Sequence, residues 1–350
     1  MSDPTDAPRR PDVPLSILDL AAVGTDETIA QSFAGSVELA RAAERLGYER
    51  IWYAEHHNIG SIASSATAVL IAHIAAHTEK IRLGSGGVML PNHSPLVIAE
   101  QFGTLATLHP DRIDLGLGRA PGSDTAAMRA LRRDELSSER FPQDVVELQG
   151  WLGDNSPVSG VIAIPGKGTH VPIYILGSSL FGAQLAAVLG LPYAFASHFA
   201  PHSLFDALQM YRENFKPSDQ LAEPYAIAGV GVIAAPDKAN AEAQLEVTRR
   251  ARVKNLFKSP SGSRLTDEEV DQILDSPRAR AVDEMLTYSA VGTGAEAAAY
   301  LADFQQKTGA DELITVHYAD SVDNRVRSVE ILAEAAGLGA TAEPAAAPAP

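Results

Sequence analysis

Apolar and polar positions alternate in blocks along this chain. Short apolar runs at residues 15–20, 51–54, 81–90, 113–117, 173–176, 193–196, 225–234 and 312–316 read as β-strands. Between them lie longer stretches with apolar residues at helical spacing, at 29–46, 64–77, 95–108, 180–189, 203–215, 237–257, 295–308 and 321–336. The first carries Phe33, Val37, Ala40 and Leu46 at that spacing and is stopped by Gly47. Pro95 opens another, at a position where a missing N–H costs little. Two more helical stretches, 123–133 and 143–152, follow the fourth strand, and the Gly-rich segment 159–170 reads as a small hairpin.

Eight strand–helix repeats predict an α/β chain folded as a (β/α)8 TIM barrel over residues 14–336. Residues 1–13 and 337–350 read as disordered tails. The longest departure is a polar insertion, 258–277, between strands seven and eight. Such a segment at a barrel mouth is either an active-site lid or an ordinary surface loop.

Charge and composition narrow the chemistry. A net charge of −16 without a basic run disfavours a nucleic-acid partner. The absence of cysteine removes disulfides, thiolate nucleophiles and zinc–thiolate sites, and fits a cytoplasmic location. No secretory signal is visible, and the most apolar run, 66–76, is broken by His73 and too short to span a membrane.

Candidate chemistry gathers at the carboxyl ends of the strands, where α/β barrels keep their active sites. Glu55, His56 and His57 end strand two. Ser85, Gly86 and Gly87 interrupt strand three, which marks either a tight backbone contact or a functional kink. Arg119 follows strand four among glycines whose spacing departs from a dinucleotide fingerprint. Gly177, Ser178 and Ser179 open a helix, where they either cap it or bind an anion. Asp19, Met89, Asn92, His93, His198 and Phe199 complete the rim, with Leu90 placed beside Met89. His73, His77 and His109 lie on or near helices and read as structural.

These segments together, Ile51 to His57, Gly84 to Pro91, Gly116 to Arg119, Gly177 to Ser179, Val291 to Thr293 and the last helix with Arg325 and Arg327, resemble the bacterial luciferase-like flavin monooxygenases. The resemblance covers nearly the whole chain and implies a barrel that binds reduced FMN at its mouth. It places a non-prolyl cis peptide at Gly86–Gly87 beneath the flavin ring, and the flavin phosphate at Arg119 and Gly177–Ser179. It gives His56 an acid/base role, with Glu55 and His57 beside it; their place at the strand ends makes Asp19, Met89, His93 and His198 the expected substrate-lining residues. The resemblance also implies O2, a small organic substrate and a homodimer, and a separate flavin reductase is expected because no nicotinamide motif is present. Gly118 stands where the luciferases carry a reactive cysteine, which disfavours light emission. A related branch uses the deazaflavin F420, which the Glu-His-His tripeptide disfavours. Other classes are a metal-dependent barrel hydrolase and a flavin-binding subunit without catalysis. No metal site is expected, since adjacent His56 and His57 on an extended chain point to opposite faces.

Overall fold

The computed structural model describes residues 9–24, 26–120, 125–257 and 265–339. In chain order the elements begin β1 (Leu15–Asp19), α1 (Ile29–Leu46), β2 (Arg50–Tyr53), α2 (Thr67–Ala75), β3 (Arg82–Met89), α3 (Pro95–Leu108) and β4 (Ile113–Gly118). They continue with α4 (Thr125–Ala130), α5 (Phe141–Leu152), β5 (Ile173–Gly177), α6 (Leu180–Leu189), β6 (Tyr193–Phe195), α7 (Leu204–Asn214) and β7 (Ala226–Ala235). The last third holds α8 (Lys238–Leu256), α9 (Asp267–Leu274), α10 (Ala279–Met285), β8 (Ser289–Thr293), α11 (Gly294–Thr308), β9 (Glu312–His317) and α12 (Val322–Ala336).

Parallel pairing runs from β1 through β7, then from β7 to β9 and back to β1, closing an eight-stranded barrel as the repeat pattern predicts. β8 stands outside the ring. β7 is ten residues long: Ile227–Val232 pair with β9, and the overhanging Gly231–Ala235 pair with β8. That extra strand covers an edge the ring would otherwise leave open. The helix ends follow local chemistry. Thr28 and Gln31 form a reciprocal cap at the start of α1, and Gly47 ends it at φ 85°.

The hairpin expected at 159–170 does not form. Ala163 is buried and Val161 packs against the core, while Ile162 and Ile164 are exposed, so the β-branched residues pin a loop rather than pair as strands. Gly166 in that loop lies so close to α3 that a Cβ on Gly103 would sit 2.2 Å from its Cα. In the polar stretch after α8, residues 258–264 lie outside the described residues, as do residues 1–8 and 340–350 of the expected tails. Leu265, Val270, Ile273 and Val282 form a small core with Val253 that fastens α9 and α10 to α8. No described helix is long and apolar enough to cross a membrane.

The barrel interior is layered. At the lower end, first residues of strands bring charges together. The Arg50 guanidinium donates to Glu312 (2.9 Å), Asp114 (2.8 Å) and the Tyr174 hydroxyl (2.9 Å). Glu312 also accepts from Ser16 (2.5 Å) and Tyr225 (2.7 Å), and Asp114 from Arg82 and the Trp52 indole (3.1 Å). Above this layer Leu18, Trp52, Ala54, Ala194, Ile314 and Val316 form an apolar plug. The plug is the floor of the mouth.

Candidate active site

The strand ends and their following loops enclose a cavity of about 1330 Å³ at the carboxyl end of the barrel. Its floor is Leu18, Trp52, Ala54, Leu176, Ile314 and Val316, beside Gly86 and Gly87. The Gly86–Gly87 peptide is cis, and the β3–β4 register shifts there, between Ser85 and Val88. No side chain fits at this point. A Cβ on Gly87 would lie 2.7 Å from the Gly116 carbonyl oxygen, and one on Gly86 2.5 Å from Leu18 Cδ1. The glycines thus serve a tight contact with Leu18, Trp52 and the Gly116 backbone, and both line the cavity.

Glu55 is the hub of a buried polar cluster. Its carboxylate oxygen Oε1 accepts from Nε2 of both His57 and His93, each at 2.8 Å, and Oε2 accepts from the Met89 N–H at 3.2 Å. Burial alone would raise this carboxyl. The His93 bond and charge, the His57 bond and the Met89 N–H outweigh it and hold Glu55 below the ordinary carboxylate range. An ionised carboxylate only accepts, so both imidazoles carry their proton on Nε2. The three ligand atoms lie within 4.8 Å of one another, a grouping that could also take a metal ion. The pairing of His57 with His93 on one carboxylate was not legible in the sequence. His56 faces the cavity instead and is half-buried.

An anion cradle lies on the β4–β5 side. Arg119 stacks on Phe181 at 4.1 Å from the ring centre, and its Nε donates to the Ser138 carbonyl at 3.4 Å. Ser178 and Ser179 line the same wall at the start of α6. Ser179 occupies the capping position, yet its hydroxyl makes no capping bond. The helix N-terminus, two hydroxyls and a guanidinium without an acidic partner among the described residues fit a phosphate group.

The opposite wall is formed by His198, Phe199, Arg252, His317 and Tyr318. Tyr318 donates to the His198 carbonyl (2.8 Å), and Arg252 lies 4.6 Å over the Tyr318 ring. Burial, then the neighbouring Arg252 and His56, push the His198 imidazole down to about 3. Asp19 is buried and held by Ser36 (2.7 Å) and Arg325 (3.1 Å) at the cavity edge.

Of the residues singled out in the sequence, Asp19, Glu55, His56, Gly86, Gly87, Met89, Arg119, Gly177, Ser178, Ser179, His198 and Phe199 line one cavity. His57 and His93 stand behind it, on Glu55. Ser85 is fully buried and donates its hydroxyl to the Gly116 carbonyl at 2.8 Å. Leu90 belongs to the core, not the rim. Pro121 and Gly122 lie outside the described residues. His317 and Tyr318 escaped notice because the last strand was ended at Val316; the strand-end rule finds both once it runs to His317. Arg252 sits in the second half of a polar helix and gives no sequence signal.

A family model described as luciferase-like monooxygenase matches residues 13–312. A luciferase-like monooxygenase of Escherichia coli is 47% identical over 321 residues, 91% of this chain and 96% of the relative. The Bacillus subtilis protein YvbT is 50% identical over 328 residues, 93% of this chain and 97% of its own length. Among solved structures, apo-MsnO8 superimposes with a TM-score of 0.82 at 37% identity, covering 93% of this chain and 99% of that one. At lower identity the likeness is one of fold alone. The oxygenating constituent of 3,6-diketocamphane monooxygenase of Pseudomonas putida, in complex with FMN, is 15% identical with a TM-score of 0.66, over 91% and 98% of the two chains. An F420-dependent secondary alcohol dehydrogenase is 14% identical with a TM-score of 0.67, over 93% and 99%.

Proposed function

This chain belongs to the luciferase-like monooxygenase family, and from that premise we propose that it uses reduced FMN and O2 to oxidise a small organic substrate. The observation that carries the reading is one cavity that joins an apolar floor of Leu18, Trp52, Leu176 and Ile314, beside Gly86–Gly87, to the phosphate-type cradle of Arg119, Ser178 and Ser179. Bound reduced FMN would supply the two electrons and activate O2, with one oxygen atom passing to the substrate and the other to water.

The protein's part is binding, orientation and proton handling. Arg119 and the α6 N-terminus anchor the phosphate. Leu18, Trp52, Leu176 and Ile314 exclude water from beneath the ring. His56 exchanges the proton with the reacting centre. Glu55, fixed between His57 and His93, positions the loop that carries His56. The absence of a nicotinamide motif supports delivery of reduced flavin by a separate reductase. A homodimer is part of the same reading, supported by exposed Val69 on α2 and exposed Val97 and Leu108 on α3. The absence of cysteine supports a cytoplasmic setting.

The test is oxygenation with chemically reduced FMN and isotopically labelled O2, scanned over a panel of small organic compounds. Label entering a product without NADH supports the proposal. NADH oxidation at a useful rate by the protein alone contradicts it.

A further inference from the structure

The second half of α8 carries Arg249, Arg250, Arg252 and Lys254, and three of the four are paired. Arg249 meets Glu246 (3.3 Å) and Asp283 (3.1 Å), Arg250 meets Asp267 and Asp271, and Lys254 meets Asp267 (2.8 Å). Arg252 lines the cavity and has no carboxylate within ion-pair distance among the described residues. Its Nε is buried without a hydrogen-bond partner among the described residues, and its guanidinium lies over the face of Tyr318 and bonds that residue's hydroxyl. This is an anomaly in a chain with 44 acidic and 28 basic residues. An arginine so placed is poorly compensated by its own protein.

We propose that Arg252 is the anchor of a substrate carboxylate, and that the second substrate is a small organic acid with an apolar body. The proposal rests on the monooxygenase reading for what occupies the rest of the cavity. Nε itself is out of a ligand's reach, so a planar carboxylate in the cavity meets the guanidinium through its Nη donors. Around it Phe199, Val247 and Leu265 offer apolar surface for the body of the acid. The site is distinct from the phosphate cradle. Arg119 follows β4 and its serines follow β5, whereas Arg252 lies on the helix after β7 and faces residues that follow β6 and β9. His198 brings no competing positive charge, because burial keeps its imidazole neutral.

The test is calorimetric titration of the full chain with hexanoate and with hexanamide, and separately with FMN. Wild-type protein should bind hexanoate about tenfold or more tightly than the amide. Arg252→Met should bring the two ligands level, Arg252→Lys should retain part of the preference, and Arg119→Met should leave it unchanged. FMN affinity should fall in Arg119→Met and hold in Arg252→Met. A preference for hexanoate that survives Arg252→Met, or no preference in the wild type, overturns the proposal. So does a loss of FMN affinity in Arg252→Met, which would make the flavin phosphate the anion at this wall. If hexanoate binding follows Arg252 while FMN does not bind at all, the flavin reading fails and the carboxylate subsite stands.

Discussion

At the lower end of the barrel Arg50 is matched by Asp114 and Glu312, and their remaining acceptors are filled by Ser16, Trp52, Arg82 and Tyr225. At the mouth Arg119 and Arg252 meet no carboxylate among the described residues, and Arg252 Nε and His198 Nδ1 have no hydrogen-bond partner. Both regions bury charge in one barrel, but only the lower one completes its hydrogen bonds from within the chain. A closed network holds strands together; an incomplete one leaves polar groups at the mouth that the proposed ligands would meet. The contrast also follows the barrel's direction, with structure at the amino ends of strands and chemistry at the carboxyl ends.

The largest effect that sharpens the contrast is expected below. Arg50→Met leaves buried Glu312 without a cation and Asp114 with Arg82 alone, and should lower stability by about 3–5 kcal/mol in chemical denaturation. A loss no greater than that of a surface substitution would mean the lower cluster is not structural. Next, His56→Ala should reduce turnover roughly 100-fold or more while FMN still binds; unchanged turnover removes His56 from the proton path. Third, Arg119→Ala should weaken FMN binding about 10–100-fold and leave riboflavin binding little changed. Equal losses for both ligands would remove the phosphate role.

A pH effect comes fourth. His317 is buried against Ser328 (2.8 Å) and Thr315 (3.2 Å), and burial, aided by Arg325, takes its imidazole down to about 3. The unfolded chain therefore takes up a proton below about 6.5 that the folded one refuses, so stability should fall as pH drops from about 6.5 toward about 3. His317→Gln should flatten that slope; an unaltered slope assigns it to other groups. The smallest effect is the converse of the first. Arg252→Met should change stability by about 0.5 kcal/mol or less, because it breaks no ion pair. A large loss would place Arg252 with the lower cluster in kind.

Much of this was legible from the residues. The bounds of α1, α3 and α6 follow from caps, Pro95 and glycine stops, which act within a few residues of sequence. β8 was missed because only Ala290 and Val291 are apolar in it and it merely covers the overhang of β7. The strand-end glycines, serines and Arg119 were found by position. The His57–Glu55–His93 cluster and the Arg252 wall were not, since both depend on which side chains meet across 38 and 66 residues of chain, respectively, from Glu55 to His93 and from Arg252 to Tyr318.

The most direct test of the account is an anaerobic titration of the protein with reduced FMN, with riboflavin and F420 as comparators. The account predicts saturable binding of reduced FMN, about tenfold or more tighter than riboflavin. Saturable binding of F420 alone, or of none of the three, would contradict it.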